Sequence, residues 1–200
     1  YSLSNINNTN PDTLILNFGS ENCLFRDHLR RGKIITVFNG GYNDSLTLIT
    51  TTLENYYIDN NLVSGQRNMI NKGRNSLGNL YFEIKITNGN ISTNNGVINW
   101  DCNYISEWTK DNGTPFNILD DEYKISGNAN GVSVNNNNFN VEITDPLIVD
   151  LKCLDACPIK SGEAILLPNN YTSRIINYGE DCDCIVTVKT EVEEYSIYIN

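Results

Sequence analysis

Along most of its length this chain alternates apolar and polar residues with a period of two. That repeat puts successive side chains on opposite faces of a β-strand. Leu80, Phe82, Ile84 and Ile86 alternate with Tyr81, Glu83, Lys85 and Thr87. Leu14, Leu16 and Phe18 share one face of an earlier segment, and Ile98, Trp100 and Cys102 one face of a later one. Further β-branched and aromatic runs lie at 34–38, 46–58, 132–134, 139–143, 147–151, 164–167, 175–176, 184–188 and 195–199. Between them stand turn signals: Asn39-Gly40-Gly41, Asp59-Asn60-Asn61, Asn88-Gly89-Asn90, Asn94-Asn95-Gly96, Asp111-Asn112-Gly113, Asn135 to Asn138 and Tyr178-Gly179. Asn and Gly accept the positive φ of tight hairpins. The best helical candidate, 117–123, is a short turn at most. The pattern predicts an all-β chain: one antiparallel domain over 13–200, built as a β-sandwich or an elongated β-meander and stapled by disulfides. A split into two subdomains near Ile143 is the alternative. The polar segment 1–12 reads as a flexible N-terminal tether, or as an arm that adds to a neighbour's sheet edge.

Composition says what covers such a sheet. Asparagine supplies 34 of 200 residues and lysine only 8. Charged residues make up 19% of the chain, below the usual quarter or so, so neutral amides cover much of the surface. The net charge of −10 argues against a nucleic-acid partner. No run of about 18 apolar residues exists to span a membrane as a helix. The five N-x-S/T sequons, at Asn7, Asn43, Asn90, Asn112 and Asn170, are no more than the roughly five that so much Asn, Ser and Thr gives by chance. The chain opens on Tyr1, which suggests a trimmed product whose export signal has been removed.

Six cysteines stand at positions 23, 102, 153, 157, 182 and 184. The last four form C-x3-C and C-x-C clusters. Disulfides, a four-thiolate zinc site and free thiols are all open, but C-x-C is tight for zinc. Disulfides between the clusters fit better, as Cys153–Cys182 and Cys157–Cys184, which leaves Cys23–Cys102 by elimination. An oxidised set implies an exported protein, in the extracellular space or on the outer cell surface.

Candidate chemistry is sparse. Asp120, Asp121 and Glu122 could offer oxygen ligands to calcium, but the D-x-D-x-D-G spacing of a calcium loop is missing and a solvated acidic turn is the simpler reading. No other cofactor is implied. The one histidine, His28, lies in the basic run Arg26-Asp27-His28-Leu29-Arg30-Arg31, read here as a surface loop that could meet an anionic glycan or phosphate. No nucleophile elbow, phosphate loop or H-E-x-x-H motif is present. Tyr56, Tyr57, Tyr104 and Trp108 are the candidate ligand-binding aromatics, suited to stacking on sugars. The plainer alternative is that they pair across strands.

Several stretches resemble a family of uncharacterised exported proteins, often lipid-anchored, of Bacteroidetes bacteria. They are NFGSENC (17–23), RRGKIITVFNGGY (30–42), TLITTTLENYYIDNNLVSG (47–65), NSLGNLYF (75–82), TPFNILDDEYKISGNANG (114–131), ITDPLIVDLKC (143–153) and INYGEDCD (176–183). These are strand and turn signatures. The resemblance implies an envelope location and an antiparallel β fold, and no reaction. Cys157 and Cys184 look like departures from the family pattern that were gained together, as one extra disulfide would be.

The expected function is non-enzymatic: an extracellular or cell-surface structural or adhesion protein, with self-assembly by strand addition as a variant. Its partners would be other surface proteins or further copies of itself. A glycan- or ligand-binding module of the cell envelope is the second expectation. A hydrolase using Asp120 and Glu122 is the third.

Overall fold

The structure, a computed structural model, describes residues 2–4, 11–25, 27–110, 117–154 and 157–199. The strands are β1 (Ser2–Ser4), β2 (Asp12–Asn17), β3 (Cys23–Phe25), β4 (His28–Phe38), β5 (Leu48–Ile58), β6 (Asn61–Arg74), β7 (Leu80–Thr93), β8 (Gly96–Lys110), β9 (Glu122–Val132), β10 (Asn138–Asp150), β11 (Ile159–Pro168), β12 (Arg174–Asn177), β13 (Ile185–Lys189) and β14 (Glu194–Tyr198). They form one sheet. Thirteen strands follow one another in chain order and every pairing is antiparallel, while β3 folds onto the side of β4. The meander forms, and the sandwich does not. Ile143 sits inside β10 and pairs with Ala164 of β11. Part of the expected N-terminal arm is itself a strand, β1, paired through Ser2–Ser4 with Thr13–Ile15.

Hairpin chemistry explains the order. Asp59 and Asn60 both take positive φ (49° and 66°) between the paired Ile58 and Asn61, the signature of a type I′ turn. Asn136 also takes positive φ (59°), as the last residue of a longer turn between β9 and β10. The Asn88-Gly89-Asn90 signal does not make a hairpin. It lies within β7, where Asn88 (φ 53°) is the extra residue of a bulge and the chain runs on. Similar register shifts recur from β4 to β11. Bulges bend a strand and tighten its twist, so strands of 11 to 15 residues curve instead of lying flat.

Directly paired residues share a face, and the pairing sorts the two faces chemically. Ile49, Met69, Ile84 and Tyr104 form one row, with Phe82, Leu80 and Trp108 on the same side. Met69, Leu80, Phe82 and Ile84 are buried there. The β4–β5 connection folds over them. The Tyr42 ring lies 4.8 Å from Phe82 and edge-on to Trp108 at 6.2 Å. Asn71, 2% exposed, holds this connection down: its amide donates to the Tyr42 carbonyl (2.8 Å) and accepts from the Gly73 N–H (2.7 Å). The opposite face carries amides and charges in rows, such as Asn68–Lys85–Asn103–Asn128–Glu142. That is where many strand asparagines go.

Glycines sit under aromatics on the apolar face. The pairing Gly89–Trp100–Gly131–Phe139–Pro168 runs across five strands. A Cβ on Gly89 would come within 2.6 Å of the Trp100 ring, and one on Gly131 within 2.6 Å of the Phe139 ring. Each ring therefore fills the space its glycine leaves.

Cys153–Cys182 and Cys157–Cys184 are disulfide-bonded, with Cα–Cα distances of 5.8 and 5.2 Å. Cys23 and Cys102 are both free, which overturns the pairing reached by elimination. Cys23 is on β3 and Cys102 on β8, with β4 to β7 between them. At roughly 4.8 Å per strand that gap exceeds about 20 Å, against the 4–7 Å a disulfide spans. Burial pushes the Cys102 thiol pKa up.

Total accessible surface is 12,373 Å². A compact monomer of this mass exposes about 9,500 Å². Among the described residues the sheet is open, with two edges and no second layer, which adds to the exposed surface.

Candidate functional site

The four candidate aromatics do not converge. Tyr56 is buried, its hydroxyl accepting from Arg30 Nη1 and its ring beside Phe18 at 5.9 Å. Tyr104 and Trp108 pack on the central core, and Trp108 stacks on its cross-strand partner Tyr123 at 6.0 Å. These three side chains support the sheet. Only Tyr57 stands at a recess.

That recess is built by a backbone irregularity. Gly32 (φ 87°) faces the bulged Asn55 (φ 46°), and a Cβ on Gly32 would lie 2.0 Å from the Asn55 carbonyl oxygen. Only glycine fits. The bulge leaves Arg31 paired with Tyr57, and the guanidinium sits 3.7 Å from the ring centre. Arg31 Nη1 also donates to Asn22 Oδ1 (2.7 Å) and Asn60 Oδ1 (3.1 Å), and Lys33 pairs with Glu54 at 2.6 Å. Asn17, Ser20, Arg31, Lys33, Asn55 and Tyr57 line a polar recess of about 450 Å³, within the size range of small-ligand sites. Lys33 and Glu54 neutralise each other, Arg31 is held by Asn22, Asn60 and the Tyr57 ring, and the other donors and acceptors are amides and hydroxyls, a lining that suits a polyhydroxylated ligand.

Arg26 lies outside the described residues, but the rest of the basic run is not the surface loop its composition suggests. His28 to Arg31 open β4. His28 Nδ1 lies 2.6 Å from Asp59 Oδ2, and the Leu29 N–H donates to Asp59 Oδ1 at 2.9 Å. The His28 hydrogen bond, with help from the Leu29 N–H, holds the Asp59 carboxyl below its ordinary value. The imidazole fastens the β5–β6 turn to the start of β4. The clue available in the sequence was Gly32 within a basic strand pattern; its partner Asn55 carries no such mark.

The acidic triplet also diverges. Asp121 is 5% exposed and hydrogen-bonds Tyr123, which in turn bonds Tyr42. Desolvation raises both phenols above their ordinary pKa. Glu122 accepts from the Thr109 hydroxyl at 3.1 Å. Asp120 ends the 3-10 turn Ile118–Asp120 that Asn117 caps. These three acids form no calcium cage, and among the described residues no group of three or more His, Cys, Asp or Glu could hold a metal.

A second recess, about 410 Å³ and apolar, opens on the core-bearing face between Ile98, Phe139, Leu166, Pro168, Tyr171 and Arg174. Among the described residues no helix is long and apolar enough to cross a membrane. Two disulfides indicate an oxidising, extracytoplasmic setting. Comparison with protein-family models, with curated proteins and with solved structures yields no match for this chain.

Proposed function

We propose that the chain is a non-enzymatic extracellular or cell-surface structural or adhesion protein. The observation that carries this reading is the open, two-faced antiparallel sheet, with about 30% more surface than a compact monomer of its mass. Broad exposed sheet surface and covalent stapling suit a component that works by contact. The motif resemblance to exported, often lipid-anchored envelope proteins of Bacteroidetes points the same way. A membrane-impermeant amine label applied to intact native cells tests the location. Strong labelling with both disulfides formed is the expected result; recovery only from the cytoplasm, with all cysteines reduced, would sink the proposal.

The polar recess at Tyr57 and Arg31 favours a second reading, a glycan-binding module. A glycan array run at low and high calcium should then give signals that Tyr57→Ala abolishes. A blank array removes this reading and leaves the first intact.

A further inference from the structure

We infer that copies of this chain add to one another end to end, with β14 of one copy taking the place of β1 beside β2 of the next. The inference rests on the structural reading above and names its partner as a second copy.

Three observations point to that occupant. The first is strand direction. β1 is the first and β14 the thirteenth strand along the sheet, and all pairings alternate, so β1 and β14 run the same way. A translated copy can therefore offer its β1 to β14 only in parallel. It can offer β2 in the antiparallel sense used at every other junction. The present occupant of that place is slight: β1 pairs through three residues, whereas β2 has six and β14 five.

The second is face matching. In the β2–β4–β5 rows Leu14 and Leu16 lie on the side of Phe38 and Ile49, the core-bearing side. In β14, Tyr195 and Ile197 pair with Val188 and Val186, which are buried on that same side. One register satisfies both strands. It sets Tyr195 against Leu16, Ser196 against Ile15, Ile197 against Leu14, Glu194 against Asn17 and Tyr198 against Thr13. The apolar face then continues across the junction. Leu16, Tyr195 and Ile197 are 37%, 44% and 41% exposed in the single chain, and this junction would cover them.

The third is charge. In a chain of net −10, residues 1–38 hold four Lys or Arg against three acids, a net of +1. Residues 174–200 hold six acids against two Lys or Arg, a net of −4. The acids include Glu191, Glu193 and Glu194 on or beside β14. Opposite ends attract, and like ends repel, so β14-to-β14 pairing is disfavoured. A head-to-tail contact of this kind does not close on itself and gives an open series of lengths. One strand pair is a small interface, so assembly should depend strongly on concentration.

Sedimentation velocity of the full chain at rising concentration, in low and high salt, is the test. The expected result is a growing series of species, with its onset moved to higher concentration by salt. A chain lacking residues 1–10 should assemble at roughly tenfold lower concentration, since one or two net hydrogen bonds of competition are gone. Tyr195→Lys/Ile197→Lys places charges at exposed edge positions, which should leave the circular dichroism spectrum unchanged and abolish assembly. Mixed below stoichiometry, this variant still presents its β2 edge and should shorten wild-type chains. A monomer at all concentrations, a species that stops at the dimer, or a lysine variant that assembles normally would each overturn the inference. A monomer that intact cells nonetheless display overturns the assembly alone. A chain confined to the cytoplasm overturns the structural reading beneath it.

Discussion

Replacing the C-terminal cysteines by alanine, singly by pair and then together, should give losses that do not add. Cys153–Cys182 and Cys157–Cys184 span sequence separations of 29 and 27. Taken alone, either closes a loop whose entropy in the unfolded chain is worth about 3.6 kcal/mol. The two loops overlap almost completely, however. With one bond in place, the other closes only a ring of about eight residues, 153–157 and 182–184, worth about 2.5 kcal/mol. Removing either pair from the intact protein should therefore cost about 2.5 kcal/mol, and removing both about 6 kcal/mol, roughly 1 kcal/mol beyond the sum. Equilibrium urea unfolding, with free Cys23 and Cys102 left unchanged, measures all three. Strict additivity, or a double variant no less stable than a single one, would refute the overlapping-loop reasoning. The second outcome would also mean that β12 to β14 unfold separately from the rest of the sheet.

Thiol chemistry should separate the remaining cysteines. Iodoacetamide under native conditions should label two thiols per chain, exposed Cys23 well before the half-buried Cys102 with its raised pKa; a chain with none to label would restore the rejected pairing. Asn71→Ala should cost about 2–4 kcal/mol, because it strands the Tyr42 carbonyl and the Gly73 N–H beneath the β4–β5 connection. The same change at exposed Asn94 should stay within about 0.5 kcal/mol. Asp59, held below its ordinary pKa of 3.8 chiefly by His28 and then by Leu29, gives stability that is present above pH 3.8 and lost as pH falls through the lower folded value. An NMR titration should show its midpoint rise in His28→Ala but stop short of 3.8, since the Leu29 N–H remains; an unmoved midpoint would show that His28 contributes nothing.

The strands were legible because a sheet with one apolar and one polar face imposes period two on every segment crossing it, as Leu80 to Thr87 displays. Local hairpins were legible for the same reason: Asp59-Asn60 needs nothing beyond its own φ preferences. Features set by two distant residues were hidden. Asn88-Gly89 reads as a turn, and is a bulge because the pairing of β7 with β8 resumes beyond it, at Gly89 opposite Trp100. Tyr56 and Tyr57 fall on opposite faces by alternation alone, but which of them is buried with Arg30 and which opens a recess with Arg31 is set by the Asn55 bulge opposite Gly32. Cys23 and Cys102 were joined by counting, and counting carries no information about four intervening strands. The choice between meander and sandwich was equally closed to the sequence, since both use the same alternation.

Strictly sequential strand order also decides how such a chain bears tension. The two termini leave from opposite edges of the sheet, so a pull between them peels the outermost strands one hydrogen-bond pair at a time and does not shear the whole ladder at once. Lengthening would begin at β1 and β14 and proceed inward. The disulfides interrupt it: residues 153–184 lie inside a covalent bracket, and about 30 residues, roughly 100 Å of extended chain, are withheld from any stretch. The C-terminal end would yield a short length, pass the load across the bracket and resume only at β10, while the N-terminal end would pay out strand by strand.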